Sequence, residues 1–174
     1  MRLAAAAACA LIAIVFADSA AAVEHENHLG VDVGGNALVI GGAGSDTGVS
    51  LGAHWIYGLT DQFDLLVEGA WSLETFGGHA GSLANLDAGV SYVLDVLRWV
   101  PYAGLLVGGY ELLGSEIGGP KLLPGGALAL GLDYRFNREL AAGVAVREHM
   151  LFTEVSTYPS FIQVFARVEY TFGW

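Results

Sequence analysis

An alternation of period two limits what this chain can fold into, and it is clearest in the last fourteen residues, FIQVFARVEYTFGW. Ile162, Val164, Ala166, Val168, Tyr170, Phe172 and Trp174 share one parity and are all apolar. Gln163, Arg167, Glu169 and Thr171 hold the other, with Phe161, Phe165 and Gly173 among them. Successive side chains of a strand point to opposite faces, so this stretch reads as a strand with one apolar and one polar face.

The pattern recurs upstream. It predicts strands at residues 28–40, 49–59, 63–73, 84–94, 99–110, 126–136 and 140–151, with 161–174 as the eighth. In the second, for example, Val49, Leu51, Ala53, Trp55, Tyr57 and Leu59 oppose Ser50, Gly52, His54 and Gly58. Long connections rich in Gly, Ser, Asp and Pro are expected at 41–48, 74–83, 111–125 and 152–160, and short turns at 60–62, 95–98 and 137–139. Eight strands of about ten residues, an even count, and both termini on the short-turn side fit an antiparallel up-and-down barrel that crosses a bilayer. A β-sandwich gives no reason for connections that alternate long and short.

Charge decides which face points where. The apolar faces carry one charge, Glu148, whereas the opposite faces carry Asp32, Asp64, Glu68, Asp87, Asp133, Arg135, Arg147, Arg167 and Glu169. A lipid-facing Arg or Lys at mid-bilayer costs about 2–4 kcal/mol, so a membrane barrel keeps its charges inside. A soluble barrel would have to pack Trp55, Tyr57, Trp71, Tyr134, Phe136, Tyr170, Phe172 and Trp174 into its lumen. An eight-strand interior has too little room for that many rings. Tyr57, Phe63, Tyr92, Trp99, Tyr134, Phe136, Tyr170, Phe172 and Trp174 also fall at the turn side of their strands, where an interfacial aromatic girdle belongs.

The N-terminus opens Met1-Arg2, runs apolar from Leu3 to Phe16 and reaches Ala20-Ala21-Ala22. One positive charge, a short apolar core and an Ala-x-Ala site predict a secretory signal peptide over residues 1–22, leaving 23–174 as a single barrel domain. The sole cysteine, Cys9, lies within the signal, too early to be a lipoprotein site, so no disulfide framework or thiolate metal site is expected. Cleavage removes one arginine and one aspartate, and the net charge stays at −11. That charge argues against nucleic acid as a partner. Mean hydropathy is +0.53, yet after the signal no apolar run is long enough for a membrane helix; the apolar residues are spread by alternation.

Two stretches carry a resemblance. The ending Tyr170-x-Phe172-x-Trp174 is similar to the C-terminal signal of bacterial outer-membrane barrels, and Pro101-Tyr102-Ala103-Gly104-Leu105-Leu106-Val107-Gly108-Gly109-Tyr110 resembles a Pro-Tyr-x-Gly strand found in related proteins. Together they liken the chain to small eight-stranded outer-membrane β-barrels of the OmpA/OmpX/OmpW kind. The resemblance implies an outer-membrane location and contact with outer-membrane lipid and lipopolysaccharide. It also implies delivery to the barrel-assembly machinery through Tyr170, Phe172 and Trp174, and a monomer. Nothing follows Trp174, so the peptidoglycan-binding domain of the OmpA type is not expected.

Three functional readings follow. The first is a structural or surface-interaction barrel with no large pore, whose lumen is plugged by paired charges. Arg147 and Arg167 would bridge Glu68 and Asp87, with Asp32 and Glu169 nearby and His54 as a further partner. The loop 111–125 is the first candidate for binding a partner, on length alone. The second is a narrow channel or carrier for small apolar molecules, as in OmpW-like barrels, kept alive by the inward parity of Ile56, Leu66, Val93 and Leu106. The third is a lipid-modifying enzyme. Some barrels of this kind use a Ser/His/acid group near the outer rim, where Ser72, Glu74, Glu148 and His149 fall, but no motif of those enzymes is present. His25-Glu26-Asn27-His28 has metal-ligand spacing without further obvious ligands. No catalytic residue, cofactor or metal is therefore expected.

Overall fold

A sheet of amphipathic strands loses its two exposed edges only by closing on itself. In the computed structural model it does so. The structure describes residues 25–40, 44–76, 79–94, 98–114, 120–153 and 160–173. The expected signal peptide, residues 1–22, and Trp174 lie outside the described residues. The strands are β1 (Asn27–Ile40), β2 (Gly44–Gly58), β3 (Phe63–Phe76), β4 (His79–Val93), β5 (Trp99–Gly114), β6 (Lys121–Arg135), β7 (Leu140–Leu151) and β8 (Ser160–Phe172). Each pairs antiparallel with the next, and β8 returns to β1, from Asn27↔Phe172 to Val39↔Ser160, to complete a closed barrel.

At the turn side the strands end close to the expected places. At the loop side they run on. β2 starts at Gly44, not 49; β3 ends at Phe76, not 73; β4 starts at His79, not 84; β5 ends at Gly114, not 110; β6 starts at Lys121, not 126. The expected alternation of long and short connections is therefore mostly an alternation in how far the ladder continues. Glycine, serine and aspartate read as loop by composition, but cross-strand backbone bonds do not depend on side-chain type, and a closed cylinder keeps the neighbours in place. A strand gains roughly 2.5 Å of height per residue at the usual tilt, so an apolar band about 25 Å tall uses about ten residues. The sixteen residues of β5 exceed that, and the excess rises on the loop side.

Two prolines sit within strands without costing a ladder bond. The carbonyl of Pro101 accepts from Leu94, one residue past the end of β4, and that of Pro124 accepts from Phe152, one residue past the end of β7. Each ring nitrogen thus faces the place where its partner strand has run out, the position in which a sheet tolerates proline.

The exterior is apolar. Val31 is 65 % exposed, Leu86 66 % and Leu105 73 %, and Val33, Leu51, Trp71, Val107, Val144 and Val164 also point outward. At the turn side, rings pair edge-to-face: Phe63 with Tyr92 at 5.3 Å, Trp99 with Tyr134 at 4.9 Å and Tyr134 with Phe136 at 5.3 Å. The interior holds the polar parity, so this barrel is an inverted protein with its charges in the core and its apolar side chains outside.

Candidate functional site in the barrel lumen

The lumen is filled in tiers. At the turn-side mouth, His28 Nδ1 lies 2.6 Å from Glu169 Oε1 and 3.3 Å from the Thr171 hydroxyl, and its Nε2 is 3.8 Å from Glu26. Glu169 belongs to both this tier and the next, because its other oxygen accepts from Arg167 Nη2 at 2.7 Å.

The second tier is centred on Arg167, 2 % exposed. Beyond Glu169, its guanidinium faces Asp133 at 3.6 Å and Asp32 at 4.0 Å, contacts His54 Nε2, and donates to the Tyr102 hydroxyl. His54 Nδ1 is 2.8 Å from Asp32. In the third tier, Arg147 Nε donates to both carboxylate oxygens of Glu68 at 2.8 Å, and its Nη2 donates to Tyr102 at 3.2 Å. The Tyr102 hydroxyl thus accepts from two arginines. Its ring centroid lies 5.6 and 5.2 Å from the two guanidinium carbons. The electron-rich ring is a favourable neighbour for both cations and holds like charges apart.

Tyr102 can lie across the lumen because Gly131 faces it. A Cβ at Gly131 would sit 2.2 Å from the Tyr102 ring, and one at Gly30 would sit 2.2 Å from the His54 ring. These glycines supply the close approach that the large polar side chains need.

The fourth tier contains no arginine and is held by hydrogen bonds. Asp87 accepts from Tyr110 at 2.5 Å and from Asn85 at 2.7 Å. His149 Nε2 is 2.9 Å from Gln163, Gln163 donates to Ser72 at 3.2 Å, and Ser72 and Ser50 are 2.7 Å apart. Asn36 donates to Glu74. Above this tier, at the loop side, Leu38, Leu83, Tyr110, Leu112, Leu123, Leu151 and Phe161 form a buried apolar layer. It is built from facing pairs: Leu38↔Phe161, Leu83↔Leu112 and Tyr110↔Leu123. A second apolar cluster, Ile56, Leu66, Leu106, Ala127 and Ala129, is contributed by β2, β3, β5 and β6. Among the described residues, spaces of about 30 Å³ lie at the turn-side mouth beside His28, Asp64 and Asp133, and of about 10 Å³ between Asp32, Glu68 and Gln163. One water needs at least ~10–15 Å³.

All seven side chains of the expected charge network, Asp32, His54, Glu68, Asp87, Arg147, Arg167 and Glu169, face the lumen, but their pairing differs from the expected bridges. Arg147 meets Glu68. Arg167 lies among Glu169, Asp133 and Asp32 instead of bridging to Glu68 or Asp87, because its place on β8 sets it nearer the turn side. Asp87 is met by Tyr110 and Asn85 rather than by an arginine, being nearer the loop side. Tyr102, Asp133, Tyr110 and Gln163 complete the network, and their inward parity was their only signal.

The rim residues of the enzyme reading are not assembled into a reactive group. Ser72, Glu74 and His149 point inward and are buried, with Gln163 between the serine and the histidine, while Glu148 points outward. Of the N-terminal histidines, His28 joins the mouth tier and His25 packs edge-on against Tyr57 at 6.1 Å. Among the described residues no group of three or more His, Cys, Asp or Glu is arranged to hold a metal ion.

No protein family and no curated protein matches the chain. Solved structures do. Neisserial surface protein A (NspA) superposes with a TM-score of 0.68 at 15 % identity, covering 84 % of this chain and 97 % of that one. Ail, the attachment invasion locus protein of Yersinia pestis, gives 0.63 at 13 % identity over 86 % and 100 %. The outer membrane protein OprG of Pseudomonas aeruginosa gives 0.53 at 15 % identity over 87 % and 98 %. With a closed eight-strand wall, an apolar exterior and a charged, packed interior, the chain has the fold of the small eight-stranded outer-membrane β-barrels.

Proposed function

We propose that the protein is an integral outer-membrane barrel of structural or surface-interaction type that carries no large pore. The supporting observation is the packed lumen. Arg147 and Arg167 are each 2 % exposed and held by carboxylates, and the apolar layer closes the loop side. In this reading residues 1–22 are a cleaved export signal and the loop side faces outside the cell. The C-terminal strand is read by the assembly machinery, and outer-membrane lipid and lipopolysaccharide surround the wall. Interaction then falls to the rim, where the extended ends of β5, up to Gly114, and β6, from Lys121, rise above the bilayer. Ail has been solved with the heparin analogue sucrose octasulfate. A net charge of −11 disfavours a sulfated glycan here and favours a basic partner.

Planar-bilayer recordings test the plug. Purified protein should give no stable, large, ohmic openings, and their appearance would overturn the reading. A second reading, a carrier for small apolar molecules, draws on the inward cluster of Ile56, Leu66 and Leu106. It requires a lipophilic fluorophore to be taken up by the folded barrel and displaced when Leu106→Arg is introduced.

A further inference from the structure

The outer wall carries an unusual conjunction of a groove and a cation. The groove, about 610 Å³, lies across β4 and β5. That volume is within the roughly 300–1,000 Å³ typical of small-molecule sites. Ala88 and Ala103 form its floor; Phe63, Tyr92, Leu105 and Leu128 stand around it. Its foot is at the aromatic girdle, where Phe63 and Tyr92 meet edge-to-face. Its upper end, Val107, lies eight residues above Trp99, hence about 20 Å higher at the rise per residue used above. One leaflet of hydrocarbon is about 15 Å deep, so the groove has the length of an acyl chain whose head group lies at the turn-side interface.

The cation is independent of the groove. Arg98, fully exposed, precedes Trp99 in the connection between β4 and β5. Its guanidinium donates to the Tyr134 hydroxyl at 3.3 Å, against the ring that packs on Trp99. Its carbonyl accepts from Arg135 N at 2.8 Å, which fixes the connection to β6. The charge is thereby held at head-group height, at the turn-side end of β5, the strand that carries Ala103, Leu105 and Val107 of the groove. Arg138, in the next turn, is also exposed, whereas Arg147 and Arg167 are spent inside the lumen. Acidic side chains share that surface, exposed Asp61 and Glu139 among them, so the anion contact falls to Arg98 alone.

We infer that β4 and β5 form a site for one anionic phospholipid of the turn-side leaflet, its phosphate on Arg98 and one acyl chain in the groove floored by Ala88 and Ala103. The inference rests on the proposal that the barrel spans a bilayer.

Native mass spectrometry of the detergent-purified protein, after incubation with phosphatidylglycerol or phosphatidylcholine at equal concentration, tests it. The wild type should retain one phosphatidylglycerol about five-fold more often than one phosphatidylcholine, the preference that one arginine near an anionic surface supplies. Arg98→Gln should bring the ratio to about one, and Arg98→Lys should keep it. Ala88→Leu with Ala103→Leu should fill the groove and reduce retention of both lipids several-fold. An unchanged ratio in Arg98→Gln, or unchanged retention with the groove filled, overturns the site. A wild-type dimer that the filled groove dissolves assigns the groove to a second copy and also overturns it. Vesicle flotation separates the two levels: protein that does not float with lipid counts against the membrane reading itself, not only against the site.

Discussion

Replacing Arg167 with methionine probes the core of this barrel most directly. Arg167 has carboxylate oxygens at 2.7 Å (Glu169), 3.6 Å (Asp133) and 4.0 Å (Asp32). A unit-charge pair at 4 Å is worth about 4 kcal/mol at an effective dielectric of 20, so the gross attraction is on the order of 10 kcal/mol or more. Desolvation of the ions, several kcal/mol each, and repulsion among the three acids remove most of that gain. The loss on mutation is therefore set by what is left behind: three acids in a tight, buried space without their shared cation. Methionine retains much of the volume, so the cavity contribution is small and the electrostatic one dominates. The expected cost is about 3–5 kcal/mol, the range for breaking a buried pair from one side. Equilibrium urea unfolding of vesicle-reconstituted protein, followed by tryptophan fluorescence, measures it. Adding Glu169→Gln to Arg167→Met should recover part of the loss, since one of the stranded charges is gone. A loss below about 1 kcal/mol, with no recovery in the double variant, would refute the argument by indicating that water screens the network.

Other outcomes follow from neighbouring features. Arg147→Met and Glu68→Gln should show a coupling of about 0.5–3 kcal/mol in a double-mutant cycle, and additivity would dissolve the pair. Gly131→Ala should cost about 1–3 kcal/mol in the same unfolding assay, because the new methyl displaces the Tyr102 ring; a neutral result would mean that Tyr102 does not span the lumen. Residues 23–174 contain no cysteine. Single cysteines at Ile117 and Ser156 should therefore label in intact cells, and those at Asp61 and Arg138 should not; labelling of the turn sites would reverse the topology. Replacing Phe172 and Trp174 with serine should abolish outer-membrane accumulation, scored by fractionation; normal levels would remove the C-terminal strand as the assembly signal.

The orientation of every strand was legible in the sequence because parity is strict: a residue two positions from Val31 faces as Val31 does. Height was harder to read. Strands of a barrel are staggered and tilted, so counting from the turns misjudges which inward residues lie level. Arg167 was expected opposite Glu68 and lies instead among Glu169, Asp133 and Asp32. Tyr102 has the inward parity, yet its place between two arginines depends on Gly131 across the β5–β6 pair, which no single strand reveals. Leu38, Leu83, Leu112, Leu123 and Leu151 break the polar parity near the loop ends, and that irregularity was the visible sign of the apolar layer. It was obscured because Leu83, Leu112 and Leu123 fell within expected loops.

The apolar layer also bears on how easily such a barrel could change its trade. A narrow ring of leucine and phenylalanine sheds water, and dewetting alone can insulate a tube. Among the described residues, the apolar layer between the loop side and the polar tiers beneath is made by seven side chains, not by the whole length of the wall. A few serines in place of Leu112, Leu123 and Phe161 would hydrate the layer while leaving the exterior, the girdle and the closing strand as they are. Between a sealed scaffold and a leaky conduit the sequence distance is short, so natural variants of one architecture could drift across it without ever losing the fold.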